Sequence, residues 1–267
     1  MTLQEKKENL INQIKSYGRV AVAFSAGADS TLLLKMCIDT LGKENVIAIS
    51  AYANAFPKRE RKDVESICKE LNANNIQFEI NQLNIEHFTE NTPQRCYYCK
   101  KAIFNEITKI ANKNGFHNVL EGSNLDDESD YRPGMKAIKE LGISSPLKDS
   151  RLTKDEIRRL SKELGLSTYS KPSSPCLATR IEYYEKITDE KLKKAEKAEQ
   201  TILDLGIEQV RVRMHGNSAR IEVDKENMQT IIDNSDYICS TLKKIGFDFI
   251  SLSLSPYKTG SMNINLK

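Results

Sequence analysis

The chain of 267 residues is longer than one average domain, and its 39% hydrophobic and 29% charged residues fit a globular protein with a real core. A net charge of +3 admits an anionic substrate but is too small to mark a dedicated nucleic-acid binder, whose basic residues would dominate one face. No run approaches about eighteen apolar residues, and the opening "MTLQEKKENLINQ" is too polar and acidic for a signal or transit peptide, so no membrane partner and a cytoplasmic location are expected.

In chain order, residues 19–24 ("RVAVAF") read as a short buried strand followed by a small-residue loop. Residues 29–40 continue as a helix, with Gly42 just past its end as a stop. "NVIAISAY" is a second buried strand, residues 58–72 a charged amphipathic helix opened by Pro57, and "IQFEINQL" an alternating third strand. A helix is expected over 98–114, stopped by Gly115, which leaves Cys96 and Tyr97 in the loop before it; "NVLEG" follows as a fourth strand. Thr153 and Glu156 form a capping box at the head of the next helix, which Gly165 ends. Strands alternating with helices predict an α/β fold, a doubly wound parallel sheet. Its ligands belong at the carboxyl ends of the strands, where the loops after the first and fourth would lie. The pattern changes after about Arg180. A charged helix, two alternating strands ("QVRVRM" and "ARIEVD"), a helical stretch and "FDFISLSLS" predict a small α+β domain over 184–267, beside a larger one over 1–183.

The loop after the first strand is Ser25-Ala26-Gly27-Ala28-Asp29-Ser30-Thr31. Small residues let backbone N–H groups converge on an anion at a helix N-terminus; the same string also suits an ordinary tight turn capped by Asp29 or Ser30. The Gly-Lys-Ser/Thr of a Walker A loop is absent, and without a lysine for the β- and γ-phosphates such a site favours release of pyrophosphate as a unit. Cys96 and Cys99, in "RCYYCK", have the spacing of two ligands to one metal or iron–sulfur cluster. Cys176 lies in "KPSSPCLATR", a Pro-bounded loop. A structural zinc would take four Cys or His ligands, and His87, His117 and His215 stand at no standard spacing from the pair. Cys37, Cys68 and Cys239 fall in apolar helical patterns and read as core. Asp126 and Asp127 either offer hard oxygen to Mg²⁺ or cap a solvated turn. Arg180 could contact a substrate or nucleotide phosphate. Arg211 and Arg213 alternate with Val210, Val212 and Met214, so both project from one strand face, either to grip a phosphate or to pair with Glu222 or Asp224 on the next strand.

"FSAGADST" resembles the S-G-G-x-D-S loop of the PP-loop ATP pyrophosphatases, with Ala26 in place of the first glycine. "EGSNLDD" and the run from "RPGMKAIKELG" to "SKPSSPCLATR" are similar to the LarE family, the ATP-dependent sulfur transferases of nickel-pincer cofactor synthesis. The similarity extends from Arg19 through the small C-terminal domain and loosens past Arg213. With it, the loop at 25–31 is expected to bind ATP, with Asp29 and Arg180 in catalysis and Asp126 and Asp127 on Mg²⁺. Arg211 and Arg213 are then expected to hold the phosphate of a mononucleotide.

In that family the cysteine matching Cys176 carries the transferred sulfur. One branch sacrifices it and leaves dehydroalanine; in another a Cys-x-x-Cys pair joins it to bind a [4Fe-4S] cluster. With Cys96 and Cys99 present, the resemblance implies the cluster branch, in which one iron stays open to a hydrosulfide. The implied substrate is pyridinium-3,5-biscarboxylate mononucleotide, adenylated by ATP with loss of pyrophosphate and then thiolated with loss of AMP. Sulfide or a sulfur donor supplies the sulfur, and the small domain serves substrate binding and assembly of a homo-oligomer, a hexamer among the forms allowed. Two rivals remain at this point. One is a tRNA thiolase of the same superfamily, disfavoured by the lack of zinc-ribbon cysteine pairs and of a strongly basic extension. The other is a non-catalytic, nucleotide-binding iron–sulfur sensor.

Overall fold

In the computed structural model, residues 1–128, 133–173 and 175–258 are described. The first helix, α1 (Leu3–Tyr17), opens on a capping box: Thr2 Oγ1 accepts from Glu5 N, and Glu5 Oε2 accepts from Thr2 N. Leu10 and Ile14, one turn apart, are its buried face. The sequence reading assigned no element here, since charged residues outnumber those two positions.

Four strands, β1 (Val20–Ala23), β2 (Val46–Ala53), β3 (Asn74–Ile80) and β4 (Asn118–Leu120), form an all-parallel sheet in the order β3-β2-β1-β4. Between them run α2 (Ala28–Leu41), α3 (Arg59–Glu70) and α4 (Arg95–Lys113). After β4 come α5 (Gly134–Glu140), α6 (Pro146–Asp149) and α7 (Lys154–Glu163). The α/β fold expected from alternating strands and helices is the fold observed. Helix α2 packs on α1, α7, β1 and β2 and sends Leu32, Leu33, Leu34, Met36 and Cys37 into the core. A strand covered on both faces needs an unbroken apolar run, which Val20, Ala21 and Val22 supply.

Since β1 pairs with β2 on one side and β4 on the other, the strand order reverses beside β1. The loops after β1 and β4 therefore leave the sheet together at its carboxyl edge, where open α/β sheets form their ligand crevice. Helix α4 begins at Arg95 rather than 98, because Arg95 N bonds the Thr92 carbonyl and the turn through Pro93 leads straight into the helix. Cys96 and Tyr97 thus lie in its first turn and not in a preceding loop.

A second compact unit gathers Asn54–Pro57, Gln82–Arg95 and the chain from Pro175 onward. The boundary read at 183/184 falls inside this unit. Ala55 N bonds Gln82 Oε1, Ala55 O accepts from Leu177 N, and Tyr184 N and Ile187 N bond the carbonyls of Asn91 and Thr89. Stitching over such separations leaves no trace in local composition. Its sheet has β5 (Val210–His215) antiparallel to β6 (Ser218–Val223), and β7 (Phe249–Leu252) parallel to β6. Helices α8 (Asp189–Leu203), α9 (Met228–Asp233) and α10 (Ser235–Ile245) complete it, α8 packing on β5 and α10. Ser174, in the expected Pro-bounded loop, lies outside the described residues. No described helix is long and apolar enough to cross a membrane.

Candidate active site

The loop after β1 enters α2 with Gly27 at the cap position, and Gly27 provides no side chain to cap the helix. The first-turn amides and the positive end of the helix dipole therefore meet at the sheet's carboxyl edge, which suits an anion. Ser30 ties the loop to itself: its hydroxyl accepts from Ser25 N at 3.3 Å and lies 3.2 Å from both Gly27 O and Ser25 Oγ. Ala26 is fully buried and left-handed, with φ 54°.

The loop after β4 approaches this turn backbone to backbone. A Cβ on Gly122 would lie 3.0 Å from Ser30 N and 3.3 Å from the carbonyl carbon of Asp29, so only glycine passes without displacement. Asn124 Nδ2 reaches Asp29 Oδ1 at 3.4 Å. Asp127 Oδ2 accepts from Asn124 N, and Asp126 Oδ2 accepts from Lys154 N at the head of α7. Each of the two aspartates thus commits at least one oxygen to shaping the turn, the capping use that the sequence left open. Buried Glu121 accepts from Ser123 N, Ser123 Oγ and Ser145 Oγ and stiffens the same loop.

Two lysines that sequence reading missed come to this edge. Lys154 Nζ lies 2.5 Å from Asp29 Oδ2, and Lys171 Nζ donates to Ala26 O at 2.9 Å and to Asp63 Oδ2 at 2.7 Å. The loop itself lacks a lysine, but the fold delivers Lys154 to it across 125 residues. The capping box at Thr153 was a readable sign that the next residue, Lys154, begins a helix.

In the second unit, Arg180 is buried against Glu199, with Nε to Oε1 at 2.6 Å and Nη2 to Oε2 at 2.9 Å. Its Nη1 donates to the carbonyls of Pro175 and Cys176 and to Thr179 Oγ1. All three nitrogens are engaged within the protein, so the phosphate contact expected of Arg180 gives way to holding the Cys176 loop. Arg211 and Arg213 share a strand face as expected and are both buried. Arg213 pairs with Glu222 and donates to Thr179 O at 2.7 Å. Arg211 stacks 4.8 Å over the Tyr257 ring and donates to Val210 O. Burial, reinforced by the neighbouring charge of Arg180, lowers the Arg211 pKa to about 10. Crowded, desolvated guanidinium groups are stabilised by an arriving anion.

The cysteines fall into two groups. Burial pushes the Cys37 thiol well up and the Cys68 thiol up to about 11, so both are inert core thiols. Cys239, expected in the core, is only half-buried. Cys96 is exposed and Cys99 half-buried, three apart on α4 and so on one helix face; Cys176, half-buried, directly precedes a 3₁₀ turn over Leu177–Arg180. Three accessible thiols have the donor chemistry of an iron–sulfur set. Among the described residues no three His, Cys, Asp or Glu side chains stand grouped around a metal position. Cys96 and Cys99 belong to the first unit and Cys176 to the second.

Residues 2–114 match the family model described as NAD synthase. A more distant similarity, 29% over 70% of this chain and 63% of the other, is to a component of the glutamine-hydrolyzing GMP synthase of Thermoplasma volcanium. An uncharacterized protein of Synechocystis is 36% identical over 98% of both chains. The pyridinium-3,5-bisthiocarboxylic acid mononucleotide synthase of Lactiplantibacillus plantarum is 37% identical over 99% of this chain and 96% of its own. The chain belongs to the LarE family. As a LarE-family member it is an ATP-dependent sulfurtransferase on a PP-loop fold, and the family, fold and enzyme class expected from "FSAGADST" and "KPSSPCLATR" stand.

Proposed function

We propose that the enzyme activates a substrate carboxylate with ATP and replaces an oxygen of it with sulfur, giving a thiocarboxylate. The name of the Lactiplantibacillus relative supports a pyridinium-3,5-biscarboxylate mononucleotide as acceptor. The observation that carries the reading is the N-terminus of α2, capped by no side chain at Gly27, set against Gly122 at the switch point of the sheet with Asp29 and Lys154 beside it.

A carboxylate resists sulfur nucleophiles because oxide is a poor leaving group. Attack of the carboxylate oxygen on the α-phosphorus of ATP expels pyrophosphate and gives an acyl-adenylate. Sulfur then adds at the acyl carbon, and AMP departs with the electron pair of the broken C–O bond. In this reading the amides of residues 27–30 and the α2 dipole take up charge on the departing pyrophosphate, the Thr31 N–H being already donated to Gly27 O. Lys154 turns from Asp29 to the phosphate oxygens and supplies the cation that the loop lacks. Asp29, Asp126 and Asp127 are the hard oxygen donors for Mg²⁺. Arg211 and Arg213 receive the acceptor's phosphate, and Arg180 holds the loop that presents Cys176.

Cys96, Cys99 and Cys176 would hold a [4Fe-4S] cluster, which when bound supplies a soft iron for hydrosulfide. Anaerobic purification followed by iron and acid-labile sulfide analysis tests this, with about four of each per chain expected and lost in each Cys→Ala variant. Dehydroalanine at Cys176 in iron-loaded enzyme after turnover, seen as the mass of one lost H₂S, would instead mark Cys176 as a sacrificed sulfur source.

A further inference from the structure

We infer that Lys171 is a positioning residue of the ATP loop: by holding the Ala26 carbonyl it keeps Ala26 in its left-handed turn and fixes the direction of the next amide. The inference rests on reading residues 25–31 as the ATP loop.

Ala26 has φ 54° and is fully buried. That conformation costs an L-residue backbone strain that glycine escapes, so something around Ala26 must hold it there. The described partner of its carbonyl is Lys171 Nζ, at 2.9 Å. The ammonium is itself fixed by Asp63 Oδ2 on α3 at 2.7 Å, and the Lys171 backbone by Arg158 Nη2 and by its own amide bond to Thr168 O. The lysine side chain is only 22% exposed, so its charge-assisted bond to the carbonyl is better sheltered than a surface pair.

The consequence for binding follows from peptide geometry. The Ala26 carbonyl and the Gly27 N–H belong to one rigid planar unit and point in opposite directions. A lysine that holds the carbonyl therefore aims the Gly27 N–H the other way, and Gly27 is the cap residue of α2. Released, this peptide unit can rotate, and the first amide of the anion site loses its direction.

The test compares Lys171→Met in two backgrounds, the natural one and Ala26→Gly. It measures affinity for Mg²⁺-bound α,β-methylene-ATP by calorimetry, with KM for ATP and kcat alongside. Removing one charge-assisted bond should weaken nucleotide binding about tenfold, mostly as KM for ATP, with kcat at saturating ATP within about twofold. In the Ala26→Gly background the left-handed turn is available without help, so the same substitution should cost about threefold or less. An equal loss in both backgrounds would mean that the lysine acts independently of residue 26 and would overturn the inference, as would no loss in either. Should Lys171→Met not fold, Asp63→Asn carries the test: it loosens the ammonium from a partly exposed position and should weaken nucleotide binding in the same direction. Unchanged affinity there also refutes the inference. Failure of the unsubstituted enzyme to bind the nucleotide at all overturns the ATP-loop reading, and the inference with it.

Discussion

Replacing Gly122 with alanine probes the approach of the two loops with a single methyl group. Its Cβ would stand 3.0 Å from Ser30 N and 3.3 Å from both Asp29 C and Ser30 Cα, and all three are backbone atoms of the turn into α2. None of them can swing aside as a flexible side chain would, so the β4 loop and the head of α2 must part by a few tenths of an ångström. No left-handed φ is involved at Gly122, so the effect is steric alone. Overpacking of this kind costs about 1–3 kcal/mol. At roughly 2–4 °C per kcal/mol for a chain of this size, the melting transition should fall by about 2–12 °C. Where the strain is relieved by moving the Ser30 amide, nucleotide affinity should drop by about tenfold or more. Thermal melts and calorimetric titration with Mg²⁺-bound α,β-methylene-ATP read both quantities. An alanine variant with unchanged melting and unchanged affinity would show that the loops are not in backbone contact in the working enzyme.

Three further outcomes are expected. Glu199→Ala strands the buried Arg180 and unpairs Val212 N as well; it should destabilise by about 3–5 kcal/mol in denaturant titration, and a loss under about 1 kcal/mol would contradict the pairing. At Glu156, burial works against the charge, but Lys6 and the Thr153 amide and hydroxyl outweigh it and lower the pKa. Its stabilisation is therefore complete above the ordinary glutamate range and fades as pH falls through the lowered folded-state value. The stability gap between the natural protein and Glu156→Gln should be full at neutral pH and shrink below about pH 4, and a gap independent of pH would contradict it. Arg211→Met or Arg213→Met should weaken acceptor binding about ten- to a hundredfold and leave ATP binding nearly unchanged; an equal loss for ATP would contradict the assignment.

Much of the first unit was legible because its signals are local. Apolar runs mark β1 and β2, Gly42 ends α2, and the Thr153–Glu156 capping box opens α7. The small-residue loop at 25–31 could be read from its position between a strand and a helix. The cations that serve it could not: Lys154 and Lys171 lie 125 and 145 residues away from their loop partners and carry no motif. Arg180 was misread for a related reason. An arginine four residues after Cys176 looks available for a phosphate until Glu199, nineteen residues on in α8, is seen to occupy it. The extent of the second unit was hidden because Asn54–Pro57 and Gln82–Arg95 join it through hydrogen bonds made far along the chain. The start of α4 was misplaced by three residues because the Tyr-rich sequence around Cys96 gives no cap signal of its own.

Adenylation followed by thiolation leaves its mark on ATP itself, which can be followed when the enzyme, purified anaerobically, is mixed with Mg-ATP, sulfide and pyridinium-3,5-biscarboxylate mononucleotide. Phosphorus NMR with mass analysis of the acceptor should show AMP and pyrophosphate in equal amounts, matched by acceptor that has exchanged an oxygen for sulfur. Formation of ADP and phosphate, or AMP without any thiocarboxylate, would contradict that chemistry.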